Sequence, residues 1–155
     1  MATLQSSYGG TIAKGFAGMV PNAETSNHIS RTIEDAAGVG FGAPVYRGSD
    51  DHGCTATIGT LASFYGWTMA KSDQPVTTDR DADEYAQYDT AVIVTSGAIL
   101  VEVTGAVTDG DAITVGTGAS AAAGYGATAA DATHIATGWV ADETVTNGLC
   151  RIVKR

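Results

Sequence analysis

Apolar and polar residues alternate most regularly between residues 90 and 115, TAVIVTSGAILVEVTGAVTDGDAITV. Ile99, Val101 and Val103 fall on one face by the period of two, and Ala98, Leu100 and Glu102 on the other, which predicts strands. Ser96-Gly97 lies between two apolar runs and predicts a tight hairpin turn; Asp109-Gly110 predicts a second turn before AITV. Upstream, FGAPVYRG (41–48) reads as an edge strand, because Pro44 cannot donate to a ladder. Two short strands follow, near Cys54 to Ile58 and Phe64 to Ala70. Phe64, Tyr65, Trp67 and Met69 make the second the most aromatic patch and the main source of core. Downstream, HIATGWVA and GLCRIVKR are two closing strands around Asn147-Gly148, another strong turn dipeptide.

The remaining segments lack such a period. Residues 1–40 are interrupted by Gly9, Gly10, Gly15, Gly18, Pro21 and Gly38 and read as an extended arm, with room for one helical turn in NHISRTIEDAAG (27–38). Residues 73–89 hold six acidic side chains and one proline, the mark of a long solvated loop. Residues 116–131 are a Gly/Ala segment with little to pack, read as another loop. Eight or more short strands separated by turn signals predict an all-β fold: a β-sandwich, jelly roll or small barrel in which helix is scarce. The division is an arm over 1–40 and a single β-domain over 41–155.

Composition narrows the class. At 155 residues the chain suits one domain, and its 44% apolar content is too high for disorder. Gly (20), Ala (26) and Thr (21) dominate, so side chains are small and turns frequent. Seventeen acidic residues against eight basic ones give a net charge of −9, the wrong sign for a nucleic-acid partner, and the basic cluster Arg151, Lys154 and Arg155 is too small to reverse it. An acidic surface suits docking on a basic partner. Cys54 and Cys150 do not make a disulfide scaffold or a zinc spacing and are expected as free thiols, with Cys150 buried in a strand. The N-terminus has no signal-peptide core and no apolar run spans a bilayer, so synthesis and folding in a cytoplasm and no membrane partner are expected.

Candidate chemistry is weak at every position. Asp109-Gly110-Asp111 suggests calcium, but Ala112, Thr114 and Gly116 follow where further ligands are needed, so a turn is expected and no metal. Asp79, Asp81, Asp83 and Glu84 offer carboxylates for glycoside hydrolysis, yet nothing rigid holds two of them at a defined separation. His28, His52 and His134 have no metal spacing, no Gly-x-Ser-x-Gly elbow exists, and neither GVGFG nor GTGASAAAG meets a nucleotide fingerprint. No catalytic residue, cofactor or metal is expected. Trp67, Tyr85 and Tyr88 can stack on a sugar; Trp67 reads as core, whereas the two tyrosines on the acidic loop read as exposed interface aromatics.

Taken in order, GFAGMVPNAETSNHISRT, GAPVYRG, FYGWTMAKSD, the 90–115 run and the terminal ATGWVADETVTNGLCRIVKR resemble the structural cement (capsid decoration) proteins of tailed bacteriophages. The resemblance spans nearly the whole chain and is densest over residues 92–115 and the C-terminal strand, while the acidic insertion at 73–89 is longer than the pattern requires. It implies a small jelly-roll-like β-domain, non-enzymatic, on the outer capsid surface of the virion, clamping neighbouring major capsid proteins. The implied partners are the major capsid protein and further copies of itself, as a homo-dimer or homo-trimer. Contact candidates are the arm residues Ile12, Phe16, Met19, Val20, Ile29 and Arg31, and Tyr85 and Tyr88 on the loop. The alternative for the arm is that it folds back over its own β-core. The alternative function is a carbohydrate-binding virion module, with a small hydrolase a distant third.

Overall fold

The computed structural model describes residues 14–21, 24–71, 83–116, 125–127, 131 and 133–155. Among these there is no α-helix, and eleven strands form: β1 (Asn27–Ile33), β2 (Val39–Gly40), β3 (Pro44–Arg47), β4 (Gly53–Thr55), β5 (Phe64–Thr68), β6 (Glu84–Tyr85), β7 (Thr90–Val103), β8 (Ala112–Gly116), β9 (Tyr125–Gly126), β10 (His134–Ala141) and β11 (Gly148–Lys154). A 3-10 turn, Leu61–Ser63, precedes β5. Nine strands pair in the order β1-β4-β3-β5-β7-β11-β10-β8-β9, and β1 also pairs with β7. Strands β1, β4, β3, β5 and β7 therefore close into a five-stranded barrel, while β11, β10, β8 and β9 extend the sheet from β7. Strands β2 and β6 form a separate ribbon. The all-β expectation holds, with barrel closure removing most of the exposed sheet edge.

Strand β7 organises the molecule. Its 14 residues run without reversal, so the hairpin expected at Ser96-Gly97 does not form. Pairing explains this: β7 is flanked by β1 from Thr90 to Ser96 and by β11 from Gly97 to Val103. The ladder bonds of two long partners outweigh the local turn preference of one dipeptide. Asn27 faces Ser96 and His28 faces Val94, which leaves Thr95 as an extra residue, a β-bulge. The bulge shifts the phase of the alternation. Ala91 and Ile93 face one core with Ile33, Val45 and Cys54, whereas Val94, Ile99, Val101 and Val103 face the other with Trp67, Ile113, Trp139 and Ile152. One strand thus serves two cores.

Aromatic packing fills the second core. Trp67 meets Tyr125, Phe64 and Trp139 edge-on, with ring centroids 5.0, 6.0 and 6.5 Å apart. The abundant threonines fit because their hydroxyls are satisfied where buried: Thr68 Oγ1 donates to Gly40 O at 2.7 Å and Thr137 Oγ1 to Ile113 O at 2.6 Å.

Beyond the hairpin, four further local expectations need correction. Residues 27–33 form β1 rather than a helical turn, because the free edge of β7 offers them a ladder. Strand β3 is not an edge: it pairs with β4 and β5. Pro44 loses nothing there, since β4 reaches only Tyr46 and Arg47. Tyr125 and Gly126, inside the expected Gly/Ala loop, pair with Val115 and Thr114 as β9, drawn in by the Tyr125 ring against Trp67. The strand expected to Ile58 stops at Thr55, where Asp35 accepts the Thr55 hydroxyl and the Ala56 N–H, each at 2.8 Å.

Candidate contact surface

Of the candidate contact residues, Ile12 lies outside the described residues, as do positions 73–82 of the acidic loop. The others separate into those engaged internally and those facing solvent. Gly18 N donates to Leu100 O at 2.7 Å, Leu100 N to Met19 O at 2.9 Å, and Ala70 N to Gly18 O at 2.8 Å. The segment 14–21 thus lies along β7 in its own protein, continuing the flank that β1 begins. Met19 is half-buried there, and Val20 packs against the second core. Ile29 packs partly against the barrel core. Arg31 places its guanidinium 5.1 Å from the centre of the Tyr65 ring and donates to Ser30 O at 2.8 Å.

Tyr85 corrects the expectation of an exposed aromatic: it is 0% exposed, its hydroxyl donates to Met69 O at 2.7 Å, and Phe41 packs edge-on at 5.2 Å. Trp67 is equally buried, so neither can form a sugar-stacking platform. Phe16 and Tyr88 remain, at 57% and 76% exposed. The Tyr88 backbone is held at φ 68°, with its N–H on Ile33 O at 2.8 Å.

Several of the described carboxylates accept backbone N–H groups. Asp111 Oδ2 accepts Thr108 N at 2.8 Å, Asp111 N returns to Thr108 O at 3.0 Å, and Gly110 sits at φ 89°, so Asp-Gly-Asp is a turn. Glu34 was not singled out in the sequence, yet it organises the barrel rim. Its carboxylate accepts Ser49 N, Ser49 Oγ and Asp50 N at 2.9, 2.8 and 2.9 Å, and these bonds hold its acidity above that of an ordinary glutamate. Gly48 and Gly53 make room for it: a Cβ on Gly53 would lie 1.6 Å from Glu34 Oε1. The available signal was the pair of glycines flanking SDDH. The C-terminal basic cluster is likewise tied inward, with Arg151 on Asp142 at 2.6 Å and Arg155 on Glu24 at 3.0 Å. Lys14 pairs with Glu143 at 2.5 Å and donates to Leu149 O at 2.8 Å. Both cysteines are free and buried; burial pushes the Cys54 thiol up to about 12 and Cys150 up to about 11.

Residues 4–154 match a family described as structural cement protein (E217 gp24/Pam3 gp6). The chain belongs to this phage structural cement family. Its members are structural proteins of the virion, so the barrel and its extended sheet are those of a cement protein. The same architecture occurs in a solved chain from the capsid of Myoviridae phage XM1. The two are 16% identical, with 99% of this chain and 97% of that one covered and a TM-score of 0.70. No curated protein matches the cement chain.

Proposed function

We propose that this protein binds the outer surface of a phage head as a homo-oligomer, dimer or trimer, and stabilises the shell by bridging neighbouring major capsid proteins without catalysing a reaction. The observation that carries this reading is the match to the structural cement family across residues 4–154. The distribution of side chains supports it. Core aromatics, thiols and several described carboxylates are committed to holding the fold. Phe16 and Tyr88 present apolar surface to solvent, as interface anchors do. A cement subunit adds buried area between capsomers that expansion of the shell has to break, and the net charge of −9 favours a basic docking surface.

The test is addition of purified protein to expanded heads of its own phage that lack it. Saturable binding, a higher temperature of head rupture and cryo-EM density on the outer surface between capsomers are expected. Heads that bind no protein, or density confined to the interior, would sink the reading.

A further inference from the structure

Where residues 14–17 cross the end of β7, they leave a bowl of about 410 Å³ against the β2–β6 ribbon. Phe16, Phe41 and Leu149 give it apolar walls, and Asp83 and Glu102 stand on its rim. Its parts are held by separate elements. Leu149 is the cross-strand partner of Glu102. Phe41 N donates to Asp83 O at 2.8 Å, and Asp83 is fixed at φ 63°, an uncommon backbone for a non-glycine residue. Glu102 is the exposed residue in a stretch of β7, Gly97–Val103, whose other members are all buried.

Charge decides what the bowl takes. Among the described residues, neither the Asp83 nor the Glu102 carboxylate accepts a hydrogen bond or an ion pair, and both side chains face solvent. Lys14, the neighbour of Gly15 on the bowl's wall, is committed to Glu143 and to Leu149 O. Two unneutralised carboxylates beside an exposed phenylalanine complement a segment that carries a Lys or Arg next to an apolar side chain. The stem of such a residue lies along the apolar wall while its head reaches the rim. We infer that this bowl is a docking site for a basic, apolar segment of the major capsid protein. The inference rests on the cement reading above and adds to it the face used and the chemistry of the partner.

The experiment compares the wild-type chain, the double variant Asp83→Asn/Glu102→Gln and Phe16→Ser on expanded heads lacking the protein, across a series of salt concentrations. Asn tolerates the backbone of Asp83 and Gln matches Glu102 in shape, so the double variant removes charge with the fold kept, as circular dichroism would verify. Wild type is expected to bind. The double variant should bind about tenfold more weakly at low salt, with a flatter salt dependence, because rim charges act on association. Phe16→Ser should weaken binding at every salt concentration with the wild-type slope retained. A folded double variant that binds heads as wild type does overturns the inference and leaves the cement reading intact. Failure of wild type itself to bind overturns both. Sedimentation velocity separates the rival occupant: loss of self-association with head binding unchanged would assign the bowl to a second copy and overturn the capsid segment.

Discussion

Replacing Gly97 by alanine tests whether β7 is one bent strand or two strands joined by a turn. Gly97 sits at φ +112°, and an added Cβ would lie 2.5 Å from Ser26 Cβ and 2.9 Å from Ser26 Cα. Two costs combine. Holding a residue with a side chain at such a φ costs about 1–3 kcal/mol, and overpacking a filled site costs about 1–3 kcal/mol. Ser26 lies just before β1 on a segment that can give a little, so we expect about 3 kcal/mol in total. Gly110 is the control. It has φ +89° with nothing within 4 Å of its added Cβ, so Gly110→Ala carries the backbone cost alone, about 1 kcal/mol. For a domain of this size each kcal/mol shifts the melting temperature by about 2–4 °C. Calorimetry should therefore place Gly97→Ala about 4–8 °C below Gly110→Ala, with urea denaturation giving the same order. If the two variants melt together, Gly97 occupies an open turn, and the continuous strand with its change of phase at Thr95 is wrong.

Other expectations follow from the same structure. Tyr85→Phe should cost about 1 kcal/mol, because it leaves the Met69 carbonyl without its buried donor; a variant as stable as wild type in urea would show that this bond contributes nothing. Cys54 and Cys150, with thiols raised to about 12 and about 11, should resist iodoacetamide at pH 8 in the native protein and react readily in urea, and rapid native labelling would contradict their burial. The Asp131 carboxyl is held down to about 2 by the Thr133 N–H and hydroxyl and by His134, from an ordinary value near 3.8. A depressed carboxyl stabilises the fold above its unfolded pKa and loses that contribution as pH falls through its folded one. The melting difference between wild type and Asp131→Asn should therefore be full at pH 5 and close between about pH 4 and pH 2; a gap independent of pH would refute it.

Much of the fold was legible because it rests on local chemistry. Alternation placed Ile99, Val101 and Val103 together on one face, and they share a core. Asp109-Gly110 formed its turn because Asp111 can bond back to Thr108 within four residues. Trp67 was expected in the core and is its hub. The contact candidates were less legible, since exposure depends on what the rest of the chain covers: Tyr85 and Tyr88 lie three residues apart, one buried and one open to solvent.

By itself, then, the sequence determined the all-β class, the positions of most strands, the net charge of −9 and the resemblance that the family match bears out. Each of these is written in periods, turn dipeptides and composition within short windows. Tertiary structure alone decided that Ser96-Gly97 continues a strand, that residues 27–33 close a barrel, that Pro44 sits inside a sheet and that Glu34 locks a loop. Those outcomes depend on partners distant in sequence: β1 and β11 along β7, and Gly48 and Gly53 around one carboxylate. The bowl at Phe16 belongs with them, because Asp83, Glu102 and Leu149 meet only when β7, β11 and the ribbon have packed.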